Sequence, residues 1–270
     1  MSFLSLVWDI DPVIFKLGVV ELRYYSLCWG FAILAAILIL SKVYHKEGIE
    51  ISMLESLTIY VIIGMIIGAR LGHCLFYDAT YYLSHPIEML FPIFKNSDGF
   101  HVGYAGLASH GGVIGIIIAI IFYSYKKQAN IWDLLDKLAL IGPISGAFIR
   151  IGNFFNSEII GKPTNFSFGV IFKKIDNLPR HPSQLYEAIM YILIFIFISY
   201  LYKNKKNNYK MGFIFGITIV LVFISRFLIE YTKIIQSPFE EFLPLNMGQI
   251  LSLPFIIIGI IVFIKKYHRV

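Results

Sequence analysis

Charge is scarce in this chain: 23 Lys and Arg and 17 Asp and Glu among 270 residues make 15% charged, where a soluble domain averages about 25%. That excludes an ordinary water-facing surface. Cysteine is scarcer still, with Cys28 and Cys74 alone and both inside apolar runs, so a disulfide framework is excluded and packing is the reading. No basic segment precedes an apolar core within Met1 to Ile10, so a cleavable signal peptide is not expected and the first apolar run is expected to be kept. An internal repeat is also lacking, which argues against a transporter built from duplicated halves around a midplane site. Hydrophobicity is what remains, at 57% of residues with a mean hydropathy of +0.73. These values mark an integral membrane protein.

Apolar stretches recur at 19–40, 56–76, 103–125, 131–152, 184–202, 211–231 and 246–264, most close to the roughly 20 residues that cross a bilayer core. The expected fold is therefore an all-α polytopic membrane protein, a single integral membrane domain over 1–270 with a seven-helix bundle. The stretch 131–152 is the weakest, since Asp133, Asp136 and Lys137 occupy its first turns and are expected at the membrane interface. Basic residues mark alternate loops: Lys42 and Lys46, then Lys126 and Lys127, then Lys203, Lys205, Lys206 and Lys210, then Lys265, Lys266 and Arg269. Positive loops stay cytoplasmic, so the N-terminus is expected outside and the C-terminus inside. The 153–182 connection, with Pro163, Gly169 and Pro179, is expected to fold as a small extracytoplasmic head, although its own basic residues run against the charge rule.

Counting depth along each helix places the intramembrane polar residues in one half. Tyr25, Arg70, His110, Arg150, Asn153, Gln184, Glu187, Arg226, Glu230, Asn246 and Gln249 all fall toward the outer leaflet, while the inner half is aliphatic and aromatic. Charge inside a spanning helix costs roughly 2.5–3.5 kcal/mol on insertion scales and usually serves a substrate, an ion or another charge. Arginine forks grip phosphate by paired hydrogen bonds, so this half suits an anionic lipid headgroup. Arg150 and Asn153 are three residues apart, Arg226 and Glu230 four, and each pair shares a helix face. His110 precedes Gly111 and Gly112, which permit close backbone approach, and its imidazole can take a proton near neutral pH. On this evidence alone a lipid transferase, an anionic-lipid flippase and a non-catalytic lipid-binding protein all remain open.

The same residues resemble the prolipoprotein diacylglyceryl transferases of bacterial membranes. Arg150 to Gly161 (RIGNFFNSEIIG) is similar to the family signature R-I-G-N-F-x-N-x-E-x-x-G. Arg23 to Leu27, Gly68 to Gly72, Gly106 to Gly112 (GLASHGG), His181 to Ala188 (HPSQLYEA), Arg226 to Glu230 and Met247 to Ser252 follow in the family's order. The resemblance implies transfer of the diacylglyceryl group of phosphatidylglycerol to the lipobox cysteine in a preprolipoprotein signal peptide. It further implies release of sn-glycerol 1-phosphate, no metal or organic cofactor, residence in the cytoplasmic (inner) membrane and no nucleic acid partner. Family site positions fall on Tyr25, His110, Arg150, Asn153, Glu158, Gly161, Arg226 and Glu230, with Asn156 joining them; Arg70, Gln184 and Glu187 enter the substrate-binding set by depth. Four positions depart from the family pattern: Ile149 and Ser157 stand where glycine is common, and Tyr24 and Ser26 in Tyr24-Tyr25-Ser26 where Trp-Tyr-Gly is usual.

The implied reaction needs a base to raise thiolate from a thiol of pKa about 8.5 and positive charge for the departing phosphate. His110 is assigned the first task and Arg150 and Arg226 the second, with Glu158 and Glu230 orienting the arginines and Tyr25 and Asn153 hydrogen-bonding the headgroup. Plainer readings stand beside these. Arg226 with Glu230 could be an interhelical ion pair, and His110 a buried imidazole bonded to a carbonyl. Pro182 and Ser183 are ordinary helix-start signals. The Gly64-x-x-x-Gly68-x-x-x-Gly72 spacing lets helices approach closely.

Overall fold

The long apolar runs fold as helices because a helix satisfies its own backbone N–H and C=O groups where water is absent. The computed structural model describes residues 6–17, 20–76, 79–90, 93–96, 99–102, 108–204, 209–235 and 243–267, with the backbone alone at 20, 90, 93–96, 99–102, 109 and 110. Among the described residues six helices are long and apolar enough to cross a bilayer: α1 (Tyr24–Glu47), α2 (Ile51–Phe76), α6 (Ile131–Phe155), α7 (Ser183–Lys203), α8 (Phe213–Glu230) and α9 (Met247–Tyr267). The fold is that of a polytopic helical membrane protein. Between them lie the short α3 (Ala79–Ser84) and α4 (Pro86–Leu90), and the 19-residue α5 (Ser109–Lys127). As expected from its charged first turns, α6 is the least apolar of the six.

Several expected boundaries shift. Residues 20–23 are a strand instead of the first helix's start: β3 (Val20–Arg23) pairs antiparallel with β2 (Val13–Leu17), and the helix begins at Tyr24. The run from 103 becomes helical only at Ser109; residues 103–107 lie outside the described residues. Within 153–182 the first three residues still belong to α6, after which short strands replace the expected all-helical pattern. There β6 (Val170–Phe172) pairs parallel with β1 (Leu6–Trp8) and antiparallel with β7 (Pro179–Arg180). Phe154, Ile160, Val170 and Phe172 form its core, with Trp8 and Leu185 packed against them.

The chain divides into two compact units, Ser41–Leu134 and Met1–Leu40 with Leu135–Val270. In the first, α2 and α5 run antiparallel, with Tyr123 donating to the Met53 carbonyl at one end (2.8 Å) and Ala108 N–H donating to the Ala69 carbonyl at the other (2.9 Å). Between these bonds, glycines bring the backbones together. A Cβ at Gly68 would stand 2.3 Å from the Gly111 carbonyl oxygen, and one at Gly115 2.0 Å from that of Gly64. The glycine stripe read on α2 thus meets a second one, Gly111-x-x-x-Gly115-x-x-x-Ala119, on α5. We predict that Gly115→Ala costs at least about 1–3 kcal/mol by overpacking, whereas Gly112→Ala, whose Cβ would meet nothing nearer than 3.5 Å, changes little. Thermal unfolding of the two purified variants in detergent checks this, and equal melting temperatures would refute it. This unit also carries β4 (Ile93–Asn96) and β5 (Gly99–Val102), paired antiparallel.

In the other unit, α8 and α9 are antiparallel. Gly216 packs on the Gly259–Phe263 turn at one end, and Gly248 lies against Glu230 at the other. Asp136 and Lys137, expected at the membrane interface, are enclosed by protein. The reason for Asp136 is the start of α8: its carboxylate accepts the Gly212 and Phe215 N–H groups, each at 2.8 Å, and so satisfies donors that a helix N-terminus leaves open.

Candidate functional site

Arg150 and Asn153 lie on one face of the last turns of α6, and the Arg150 Nη1 donates to Asn153 Oδ1 at 3.2 Å. The helix then ends in a reversal. Glu158 N–H bonds to the Asn153 carbonyl (3.0 Å) and Ser157 N–H to that of Phe154 (3.0 Å), the paired bonds that close a helix through a left-handed residue. That residue is Ser157, at φ +56°. Glycine adopts this conformation without a Cβ penalty, which gives a physical reason for glycine at the corresponding position in the resembled family. Ser157→Gly is accordingly predicted to raise stability by up to about 1 kcal/mol, the left-handed penalty being partly offset by glycine's freer unfolded state. A fall in melting temperature would contradict this account.

The reversal turns Glu158 back on the helix. Its carboxylate accepts from Asn153 Nδ2 (3.1 Å) and Asn156 Nδ2 (3.0 Å), while its carbonyl accepts from Gln184. Ile159, β-branched and also at φ +56°, carries real strain. Beyond it Gly161 N–H bonds to the His181 carbonyl at 3.0 Å, and a Cβ on Gly161 would stand 2.4 Å from that oxygen. Gly161 therefore serves close backbone approach. Arg180 donates to the Gly161 carbonyl (3.2 Å) and grips Asp176, holding that carboxyl below its usual range.

At the start of α7, Pro182 makes no side-chain cap and the Ser183 hydroxyl bonds across to Thr232 at 2.8 Å. Ser183 is thus an inter-element tie instead of a helix cap. One turn on, Glu187 is fully buried. Its Oε2 lies 2.7 Å from Arg150 Nε, a close ion pair off the direction of the N–H bond. The other oxygen, Oε1, accepts from Lys233 Nζ at 3.1 Å, and the same ammonium donates to Glu230 Oε2 at 2.9 Å. Arg150, Glu187, Lys233 and Glu230 thus form one chain of alternating charge across α6, α7 and the end of α8.

Neighbouring positions fit around it. The Tyr25 ring lies against Gly152, where a Cβ would come within 2.8 Å. Gly248 leaves the room that the Glu230 carboxylate fills, for a Cβ there would stand 2.4 Å from it. Gln249 donates to the Phe227 carbonyl at 3.3 Å. Tyr191, one turn beyond Glu187, interacts electrostatically with Arg150, Glu187 and Arg226. The Oε1 of the fully buried Gln184 has no hydrogen bond among the described residues.

Among the expected site residues, Tyr25, Arg150, Asn153, Asn156, Glu158, Gly161, Gln184, Glu187 and Glu230 are linked at one end of these helices. The shared face of Arg226 and Glu230 does not become an ion pair: Glu230 turns to Lys233. Arg226, half-buried, makes no ion pair or hydrogen bond among the described residues of its own unit. Glu158 reaches Arg150 only through Asn153, and the carboxylate directly on Arg150 is Glu187. Arg70 and His110 belong to the Ser41–Leu134 unit. There Arg70 is buried, donates to the carbonyls of Glu88 (2.6 Å) and Met89 (3.3 Å) and lies over the Tyr82 ring. His110 sits in the first turn of α5, and its side chain lies outside the described residues.

Two members of the cluster escaped the sequence reading. Lys233 had one available signal, its position three after Glu230, and Tyr191 was one tyrosine among 17.

Comparison with known proteins bears on the whole chain. Residues 12–265 match the family described as prolipoprotein diacylglyceryl transferase. The phosphatidylglycerol–prolipoprotein diacylglyceryl transferase of Bacteroides fragilis is 45% identical over 259 residues, covering 95% of this chain and 94% of the relative. Proteins of the same name from Tolumonas auensis and Rickettsia bellii are 40% identical over 261 residues and 37% over 268, covering 96% and 97% of this chain and the same shares of each relative. With both the full-length match and the signature at the end of α6 in place, the chain belongs to the prolipoprotein diacylglyceryl transferase family.

Proposed function

We propose that this protein transfers the diacylglyceryl group of phosphatidylglycerol to the lipobox cysteine of preprolipoproteins, the first step of lipoprotein maturation. The carrying observation is the joined Arg150–Glu187–Lys233–Glu230 cluster, built on the family signature and enclosed at one end of apolar helices. In the reaction a C–S bond forms as the C–O bond to phosphate breaks, and sn-glycerol 1-phosphate leaves with the electron pair. His110 takes the thiol proton. Arg150 and Arg226 stabilise the charge growing on the phosphate, a task for which planar forks are suited. Glu187 orients Arg150 directly, and Asn153 with Glu158 holds its other edge. Tyr25, Asn153, Asn156 and Gln184 hydrogen-bond the headgroup, Gly161 gives the close backbone approach beside it, and Arg70 keeps its proposed substrate-binding role from its depth along α2. No metal or organic cofactor enters these steps.

The chain works as a single integral membrane domain in the bacterial cytoplasmic membrane. Its seventh crossing is α5, and the β1–β6–β7 head lies outside with the N-terminus, the C-terminus being cytoplasmic. Support for this orientation comes from Lys203, Lys210, Lys265 and Lys266, which sit at the helix ends opposite the charge cluster. A flippase or a passive lipid-binding role is not favoured, because the relatives are named as transferases. Purified protein incubated with labelled phosphatidylglycerol and a lipobox-cysteine peptide should yield a thioether-linked lipid. Lipid exchange without a covalent product would overturn the reading.

A further inference from the structure

We propose that Lys233 is a positioning residue for this transfer: its buried ammonium occupies the carboxylates of Glu187 and Glu230, and so keeps the Arg150 and Arg226 guanidinium groups available to the substrate phosphate. The inference rests on the transfer reading above. Lys233 is only 2% exposed, and a lysine is almost never enclosed to that degree unless paired. Its ammonium pairs with two buried carboxylates on different helices, Glu187 of α7 at 3.1 Å and Glu230 of α8 at 2.9 Å.

Its backbone is fixed as firmly as its side chain. Lys233 forms a β-bridge with Gly161, flanked by the bond from Lys162 N–H to the Thr232 carbonyl at 2.8 Å, and the Thr232 hydroxyl meets Ser183 at 2.8 Å. The signature segment after α6 therefore holds the ammonium in place. Gly161 makes this possible, because any side chain there would strike His181 and Ser183.

Removing that cation has a definite consequence. Glu230 follows Arg226 by four residues on α8, the spacing at which helical side chains meet, yet its carboxylate lies on Lys233. Glu187 divides its oxygens, one on Arg150 Nε and one on Lys233. Without Lys233 each carboxylate would have only an arginine left to satisfy it, and the positive charge that a phosphate needs would be neutralised internally. A simple staple between α7 and the end of α8 would instead affect folding and leave anion affinity in the folded protein alone.

The full-length protein in detergent, assayed with phosphatidylglycerol and a lipobox peptide, separates these cases. Wild type is run first: no thioether product there would sink the transfer reading itself, independently of Lys233. Given wild-type transfer, Lys233→Met is expected to raise the phosphatidylglycerol KM and the inhibition constant of sn-glycerol 1-phosphate at least about 10-fold, the kcat falling less. Lys233→Met with Glu230→Gln, which removes the freed charge, should return the inhibition constant to within about 3-fold of wild type. A wild-type inhibition constant in Lys233→Met, or a double variant no better than the single, overturns the proposal. Should Lys233→Met fail to fold, Lys233→Gln, which removes the charge but keeps a hydrogen-bonding group, takes its place: an inhibition constant raised about 10-fold and relieved by Glu230→Gln supports the role, and a wild-type constant refutes it.

Discussion

An Arg226→Ala protein is expected to insert and melt like wild type, or slightly above it, yet to show a kcat/KM for phosphatidylglycerol lower by at least about 10²-fold, the usual loss when a preorganised charge donor is removed. The two halves of this expectation come from one observation. Arg226 makes no ion pair or hydrogen bond among the described residues of its own unit, although Glu230 stands four residues away on the same helix. A guanidinium in an apolar helix without a counter-charge among the described residues of its unit is a cost to the folded state, so its deletion relieves the fold. Such a cost is retained where a ligand supplies the missing anion, and stability traded for activity is the usual pattern at such sites. Arg226→Lys should recover part of the rate, since the charge returns without the fork. Wild-type turnover in a correctly inserted Arg226→Ala protein would remove Arg226 from the site.

Much of this arrangement was open to a reading of residue order, and the boundary between what was and was not legible is physical. Spanning helices were legible because bilayer thickness and helical rise set their length, and Arg150 with Asn153 because their contact lies within one helix turn. Strands β1, β6 and β7 were not, since strands of two or three residues have no pattern of their own and exist only through pairing, which for β1 and β6 spans more than 160 positions. The partner of Glu230 was misjudged for a related reason. Helical spacing permits both Arg226 and Lys233, and what selects Lys233 is its bridge to Gly161, a contact 72 positions distant in sequence. Asp136 and Lys137 looked like interfacial charges because nothing local announces that a carboxylate will cap α8. Gly115 shows the reverse situation: its small-residue spacing with Gly111 was visible in the chain, but its meaning depended on which helix lay opposite.

Glu187→Ala should have the opposite profile to Arg226→Ala, with stability lost before rate. Glu187 is fully buried between two cations, 2.7 Å from Arg150 Nε and 3.1 Å from Lys233 Nζ. Truncating one member of a buried ionic network leaves the others uncompensated and costs about 3–5 kcal/mol; here two cations would be left facing each other across the vacated volume. The expected result is a large fall in melting temperature in detergent and poor accumulation in the membrane. Glu187→Gln keeps the shape and can still accept from Lys233, so it should lose less. The discriminating measurement is unfolding of both variants beside Arg226→Ala under identical conditions. If Glu187→Ala melts with wild type, the network is not what joins α6, α7 and the end of α8, and Arg150 must be positioned by Asn153 and Tyr191 alone. If it melts early while Arg226→Ala does not, the cluster divides as its contacts indicate, with Glu187 holding the helices and Arg226 left to the substrate.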